Sequence, residues 1–203
     1  MRRQAGYGPV VPVLVDAALP PGSLRQLSQP RLDLGGELLA RPWLAADAPF
    51  LRQTFQDLDM QQWHVRRIDS EGEAREWVAQ WPQRWEQETD ASWAIVRADT
   101  DTAVGQIGFR AIRFDEARAQ ISYWVAAHAR GRGVATRAAA AVTEWGMTVV
   151  GLQRVGLAHA VSNIASCRVA ERAGFAYEGT LRRYGLHADG WHDMHMHART
   201  ADA

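Results

Sequence analysis

The run ISYWVAAHARGRGVATRAAAAVTEW, from Ile121 to Trp145, restricts the fold more than any other part of this chain. It starts apolar, breaks into Arg130-Gly131-Arg132-Gly133 and passes straight into an alanine-rich segment. The first part reads as a strand and the last as a helix over about 134–149. Glycines supply positive φ and let backbone approach a ligand closely. The first turn of a helix carries unpaired N–H groups and the positive end of the dipole, together an anion site. Arg130, Arg132 and Arg137 add flanking charge. These are the parts of a pyrophosphate cradle, although a plain strand-to-helix turn with solvated arginines has the same composition. The chain has no Gly-Lys-Ser/Thr of a P-loop and no G-x-G-x-x-G.

The elements around this run decide what kind of sheet it joins. Residues 37–43 read as a strand, and Asp47 is the expected cap of a helix carrying Phe50, Phe55 and Leu58 at helical spacing. Ser70 and Glu73 form a capping-box pattern, and Trp77, Trp81 and Trp85 then share one helical face, a core or helix-packing stripe. Pro82 is expected to bend or split that helix. Three strands follow at 92–98, 103–114 and 117–127, with turns at 99–102 and 115–117. After the Gly/Arg run come a strand at 154–161, a helix from Asn163 to a Gly174 cap, and two final strands around Asp189-Gly190. The order predicts an α/β (α+β) mixed sheet with helices on both faces.

At 203 residues the chain suits one domain with a substantial core. Residues 1–29 read as a proline-containing N-terminal arm, with one short strand at 10–15, and residues 30–203 as the domain. The 23 basic and 23 acidic residues balance, so nothing points to nucleic acid or a membrane surface. The single Cys167 rules out an internal disulfide and suits the cytoplasm. No apolar run reaches the roughly 18 residues that span a bilayer, and VVPVLVDAALP does not read as a signal peptide.

RGRGVAT at 130–136 resembles the R/Q-x-x-G-x-G/A acyl-CoA loop of the GNAT acetyltransferases, with Arg130, Gly133 and Ala135 in the defining places. ISYWV before it, then SNIASCRVAERAGFAYEGTLR and DGWHDMHMHA after it, are similar to the RimJ/RimL branch, which acetylates ribosomal-protein N-termini. QPRLDL, ELLARPWLAADAPFL and Trp63 look like the opening of that branch, so the likeness covers about residues 29–200. It implies the GNAT fold: a mixed central sheet of about seven strands in which strands 119–126 and 154–161 splay apart to hold acetyl-CoA. The pantetheine would pair with backbone of Trp124, Val125 and Ala127, with an amide near Val125 polarising the thioester carbonyl. The pyrophosphate would rest on N–H groups of Arg130, Gly131, Arg132, Gly133, Val134, Ala135 and Thr136. Asn163 matches a position that contacts CoA and also reads as a helix cap. Ser166 lies one turn on, as CoA contact, proton donor or ordinary early-helix residue.

Transfer of an acetyl group to an amine needs a proton lost from nitrogen and one supplied to the leaving sulfur. Ser166 occupies the serine of N-x-x-S to which the branch assigns the acid role. Gln120 stands where the branch has the glutamate of E-x-G-Y-W, and Ala170 where many members have an acidic tyrosine. Glutamine cannot act as a base, so Gln120 implies an amine that arrives neutral, another group working through water, or proximity. Glu178 and Asp193 are conceivable substitutes with structural roles as the alternative. Direct transfer is the usual path of the family, against a covalent route through Cys167.

On the acceptor side, Trp63, Arg66 and Tyr123 are the candidate substrate contacts, with Arg67 nearby. The expected acceptor is a primary amine, a small molecule such as an antibiotic or metabolite, or a protein N-terminus. Two alternatives are a non-catalytic acyl-CoA-binding domain and a transferase of a larger acyl group such as succinyl, held by Arg66 or Arg67. His187, His192, His195 and His197 raise the question of a metal. His195 and His197 share a strand face, but no cysteine or carboxylate framework accompanies them in the sequence, so no metal is expected. A homodimer is common in the branch.

Overall fold

The computed structural model describes residues 14–201. Eight strands form one sheet in the order β1-β2-β3-β4-β5-β6-β8-β7. They are β1 (Leu32–Gly35), β2 (Leu38–Pro42), β3 (Ala91–Arg97), β4 (Ala103–Arg113), β5 (Arg118–Val125), β6 (Arg154–Ala160), β7 (Ala176–His187) and β8 (Gly190–Thr200). Five α-helices lie among the described residues: α1 (Ala48–Thr54), α2 (Leu58–Trp63), α3 (Glu71–Glu86), α4 (Val134–Trp145) and α5 (Ile164–Arg172).

The sheet has eight strands where about seven were expected, because Leu32–Gly35 pairs with β2 as a hairpin. Its two-residue turn places Gly36 and Glu37 at φ 59° and 64°, the double positive φ of a type I′ turn. Gly35-Gly36 marks the turn, but Glu37 does not, and a four-residue strand is too short to show an alternating pattern. Of the expected strand at 10–15, residues 10–13 lie outside the described residues, and Leu14 and Val15 form a bend. Residues 20–27 lie against the domain: Leu24 is 1% exposed, and backbone N–H groups of Gly22, Leu24 and Arg25 donate to the Glu88 carboxylate.

Ser70 and Glu73 close the expected capping box on α3. The helix runs unbroken through Pro82, so the expected split does not occur. Its burial against the sheet outweighs the one backbone hydrogen bond that proline removes. Asp47 makes no capping bond to α1. Its carboxylate instead takes two bonds from the buried Arg41 guanidinium, 2.8 and 3.0 Å long, because pairing is the condition on which both charges stay buried.

Two cores flank the sheet. On one face Trp43, Phe55, Val78, Trp81 and Trp124 pack under α1–α3. On the other, Trp93, Ile107, Phe109, Val142 and Trp145 pack under α4. The tryptophan stripe divides accordingly: Trp77 and Trp81 pack edge to face at 4.9 Å, while Trp85 reaches the second core and meets Trp93 at 5.9 Å.

Every strand pair is antiparallel except β5 with β6. Those two pair only over Arg118–Gln120 and Arg154–Gly156. β5 continues to Val125 along β4, and β6 to Ala160 along β8, so the two strands part in the middle of the sheet. The helical crossover required between parallel neighbours is supplied by α4.

Candidate active site

Two cavities open at this parting. One, of about 640 Å³, runs from the start of α4 to the side of α5. The other, of about 570 Å³, lies between α3, β4 and the parted ends of β5 and β6. They share Trp63, His64, Tyr123, Trp124, Asn163 and Ser166, which form a neck between them.

The first cavity is lined by backbone. Gly131 and Gly133 sit at φ 76° and 72°, and Gly133 is the N-cap of α4 with no side chain to cap it. Among the described residues, no acceptor takes the N–H of Gly131, Arg132, Gly133, Val134, Ala135 or Thr136. The Arg130 N–H does not belong with them, because it donates to the Ala127 carbonyl at 3.3 Å. A row of free amides at a helix start is an anion cradle. Ala126 donates its N–H to Val104 on β4. By strand alternation the N–H of Val125 therefore faces the gap.

The arginines behave otherwise than their spacing suggests. The Arg130 guanidinium is held by Asp57 at 2.6 Å, Asp59 at 2.8 Å and the Val125 carbonyl at 3.0 Å. It ties α2 to the loop and brings no free charge. Arg137 turns back, donating to the Arg132 carbonyl at 3.1 Å and lying against Gly36. Further free charge comes from residues that the loop pattern does not include: Arg168 and Arg172 of α5 line the cavity and form no ion pair among the described residues. Arg132 is exposed, and it and Ala127 flank the cavity without lining it.

The match to known proteins agrees with this geometry. Residues 37–176 match the model of the acetyltransferase (GNAT) domain. The chain belongs to the GNAT family. An uncharacterized N-acetyltransferase, YoaA of Bacillus subtilis, is 36% identical over 92 residues, which is 45% of this chain and 52% of YoaA. The chain thus matches about half the length of this curated relative. Among solved structures, the ribosomal-protein-S5-alanine acetyltransferase of Vibrio fischeri superposes with a TM-score of 0.77 at 18% identity, covering 85% of this chain and 97% of that one. The L7/L12 acetyltransferase RimL in complex with coenzyme A superposes at 0.76 and 23% identity, covering 86% and 99%. At these identities the superpositions show a common fold.

In this GNAT chain the neck is held by side chains. Asn163 accepts the Ser166 N–H at 3.0 Å and so caps α5; it also lines both cavities. The Tyr123 hydroxyl points to the Ser166 backbone carbonyl at 3.5 Å, and burial pushes its phenol up to about 12. It is therefore a neutral O–H donor throughout the neutral range. Ala170, at the position where many members carry tyrosine, is fully buried in the α4-side core and cannot reach the neck. Gln120 lines neither cavity; its amide lies over Gly156, leaving no room there for a Cβ.

The second cavity joins Trp63 and Arg66, which the sequence singled out, to His64 and Arg110, which it did not. His64 lines both cavities, meets Phe55 edge to face at 4.9 Å and keeps a buried Nδ1 without a partner. Burial, then Arg110 and Arg66, push its pKa down to about 4. Arg110 lies over Trp81 at 4.6 Å and donates to the Ala91 and Phe109 carbonyls. Burial brings its guanidinium down to about 10, so it stays charged. Asp90, the nearby carboxylate, is bonded to Arg84 at 2.8 Å. Arg66 lines the same cavity, whereas Arg67 does not and pairs with exposed Asp69. Trp63 packs on His187 and His192 at 6.0 and 6.3 Å, joining α2 to the β7–β8 hairpin and closing the side of the neck.

Proposed function

We propose that this GNAT protein is an acetyl-CoA-dependent N-acetyltransferase that transfers directly to a primary amine in a ternary complex. The observation that carries this reading is the pair of cavities meeting at Tyr123 inside the β5–β6 parting. One side offers free amides and arginines suited to pyrophosphate, and the other a cationic pocket suited to an acceptor. Acetyl-CoA supplies an activated thioester. The free amides of residues 131–136, with Arg168 and Arg172, hold its phosphates, and the Val125 N–H faces the thioester oxygen.

Tyr123 then resolves the missing acid and base. As the amine adds to the carbonyl carbon and the carbon–sulfur bond breaks, nitrogen must lose a proton and sulfur must gain one. A neutral phenol between them donates its proton to sulfur and receives one from nitrogen, ending as it began. Neither a carboxylate at position 120 nor a tyrosine at 170 is needed. Ser166 shapes the neck through its backbone carbonyl. Neutral His64 accepts a hydrogen bond from the amine and turns its lone pair toward the thioester.

Arg110 and Arg66 set the acceptor class. Their charge disfavours an ammonium group and favours an acceptor whose body carries a carboxylate or phosphate. The acceptor is then a small anionic amine or an acidic peptide N-terminus, and the single unbridged cysteine suits action in the cytoplasm. Free-thiol release with acetyl-CoA and a panel of neutral, cationic and anionic amines tests this. Anionic amines should turn over fastest. Tight CoA binding with no thiol release for any amine would replace this reading with an acyl-CoA-binding domain, and faster release from succinyl-CoA would move the arginines' role to the donor.

A further inference from the structure

Behind the neck, on the side of α5, four potential metal ligands converge from three elements. His159 stands on β6, His195 and His197 on one face of β8, and Cys167 on α5 immediately after Ser166. One donor atom from each lies within 4.8 Å of all the others. His159 and His197 are 4% and 2% exposed, and their Nε2 atoms are 3.2 Å apart. Tyr177 of β7 closes the cluster, with ring centroids 5.1 and 5.4 Å from His195 and His197.

Proton placement in the cluster leaves a deficit. His159 Nδ1 lies 2.8 Å from the Ala160 carbonyl and must carry a hydrogen there, so the neutral ring presents a bare Nε2 inward. His197 Nε2 can face that lone pair only by carrying a hydrogen of its own. Its Nδ1 is then a bare lone pair, and this atom is buried without a partner. His195 Nδ1 is buried and unpartnered as well. A cation between the two Nε2 atoms removes the deficit. His197 then carries its hydrogen on Nδ1, toward the Phe175 backbone carbonyl, as a ligating histidine does through its outer nitrogen.

We propose that His159, Cys167, His195 and His197 form a tetrahedral site for a divalent transition ion, with Zn(II) as the resident metal. Zinc bonds of about 2.0–2.3 Å put tetrahedral donors about 3.3–3.7 Å apart. The two Nε2 atoms already meet that separation, and the widest pair closes by about 1 Å through rotation of the half-buried Cys167 and His195 side chains. Binding releases the thiol proton. Glu171, 3.6 Å from the sulfur, offsets the charge that remains. Four protein ligands leave no open position, so the ion is structural. It staples the first turn of α5, with Asn163 and Ser166, to β6 and β8, and so holds one wall of the neck.

The test uses the full chain without a histidine tag, stripped with a chelator and titrated with Co(II) and then Zn(II). The expected result is one Co(II) per chain, with a thiolate-to-cobalt charge-transfer band and the strong visible absorption of tetrahedral Co(II). One equivalent of Zn(II) should displace it. Cys167→Ser should remove the charge-transfer band and weaken binding at least about 100-fold. His195→Ala should weaken binding with the fold intact by circular dichroism, and a His187→Ala/His192→Ala double variant should bind as the parent does. Absence of one-to-one binding, a weak octahedral spectrum, a band that survives Cys167→Ser, or loss of binding in the His187/His192 variant would each overturn the site.

Discussion

The cavity at the start of α4 and the cavity beside α3 enclose similar volumes, about 640 and about 570 Å³, yet they are made of different material. The first takes its row of free amides from one continuous stretch, the backbone of residues 131–136, and adds Arg168 and Arg172 from α5. The second takes its chemistry from side chains as far apart as His64, Arg110 and Tyr123. A helix start presents its free N–H groups whatever side chains surround it, so the donor side tolerates variation. The acceptor side depends on side chains that any branch of the family can exchange. On the function proposed above, the donor site rests mainly on backbone and the acceptor site on side chains.

The two sides can be separated by mutation, beginning with the largest effect. Gly133→Asp puts a carboxylate at the phosphates and a side chain at φ 72°; CoA affinity by calorimetry should fall at least about 100-fold. An unchanged affinity would mean that the loop is not the cradle. Tyr123→Phe, at the neck, should lower kcat about 100-fold while leaving CoA affinity in place, and Ser166→Ala should cost less. Equal losses for the two variants would return the proton-donor role to Ser166.

Arg110→Met should raise KM for an anionic amine about 10- to 30-fold, with no change in CoA affinity; the same rise for a neutral amine would show that Arg110 only shapes the wall. His64 gives the smallest effect. Its folded pKa of about 4 lies below the ordinary 6.5, so the unfolded chain binds the extra proton between those values. The stability it contributes is whole above about pH 6.5 and is lost as pH falls toward about 4. From about pH 6.5 to about pH 5 that loss is on the order of 2 kcal/mol. Denaturant titrations of His64→Gln should show a correspondingly flatter pH profile.

Legibility in the sequence follows the same division. The meander of β3, β4 and β5, the α3 capping box and the strand-turn-helix at residues 121–145 were readable because each depends on neighbours a few residues away. The β1–β2 hairpin was not, since its first strand has only four residues and Glu37 marks no turn. The loop pattern put the charge of the cavity at the start of α4 on Arg130, Arg132 and Arg137 and could not show Arg168 and Arg172. Arg130 meets Asp57 and Asp59, some seventy residues earlier, while Arg168 and Arg172 arrive from a later helix. His195 and His197 could be placed on one strand face, but their companions His159 and Cys167 could not.

By itself the sequence determined the amide row of the proposed donor site: a strand, two glycines at positive φ and a helix start are local features, and local backbone geometry orients those amides. The tertiary structure alone decided the acceptor half and the histidine–cysteine cluster. Both depend on where β6 parts from β5 and how α5 crosses β6 and β8. Those placements are set by packing over the whole sheet, which no local spacing of residues records.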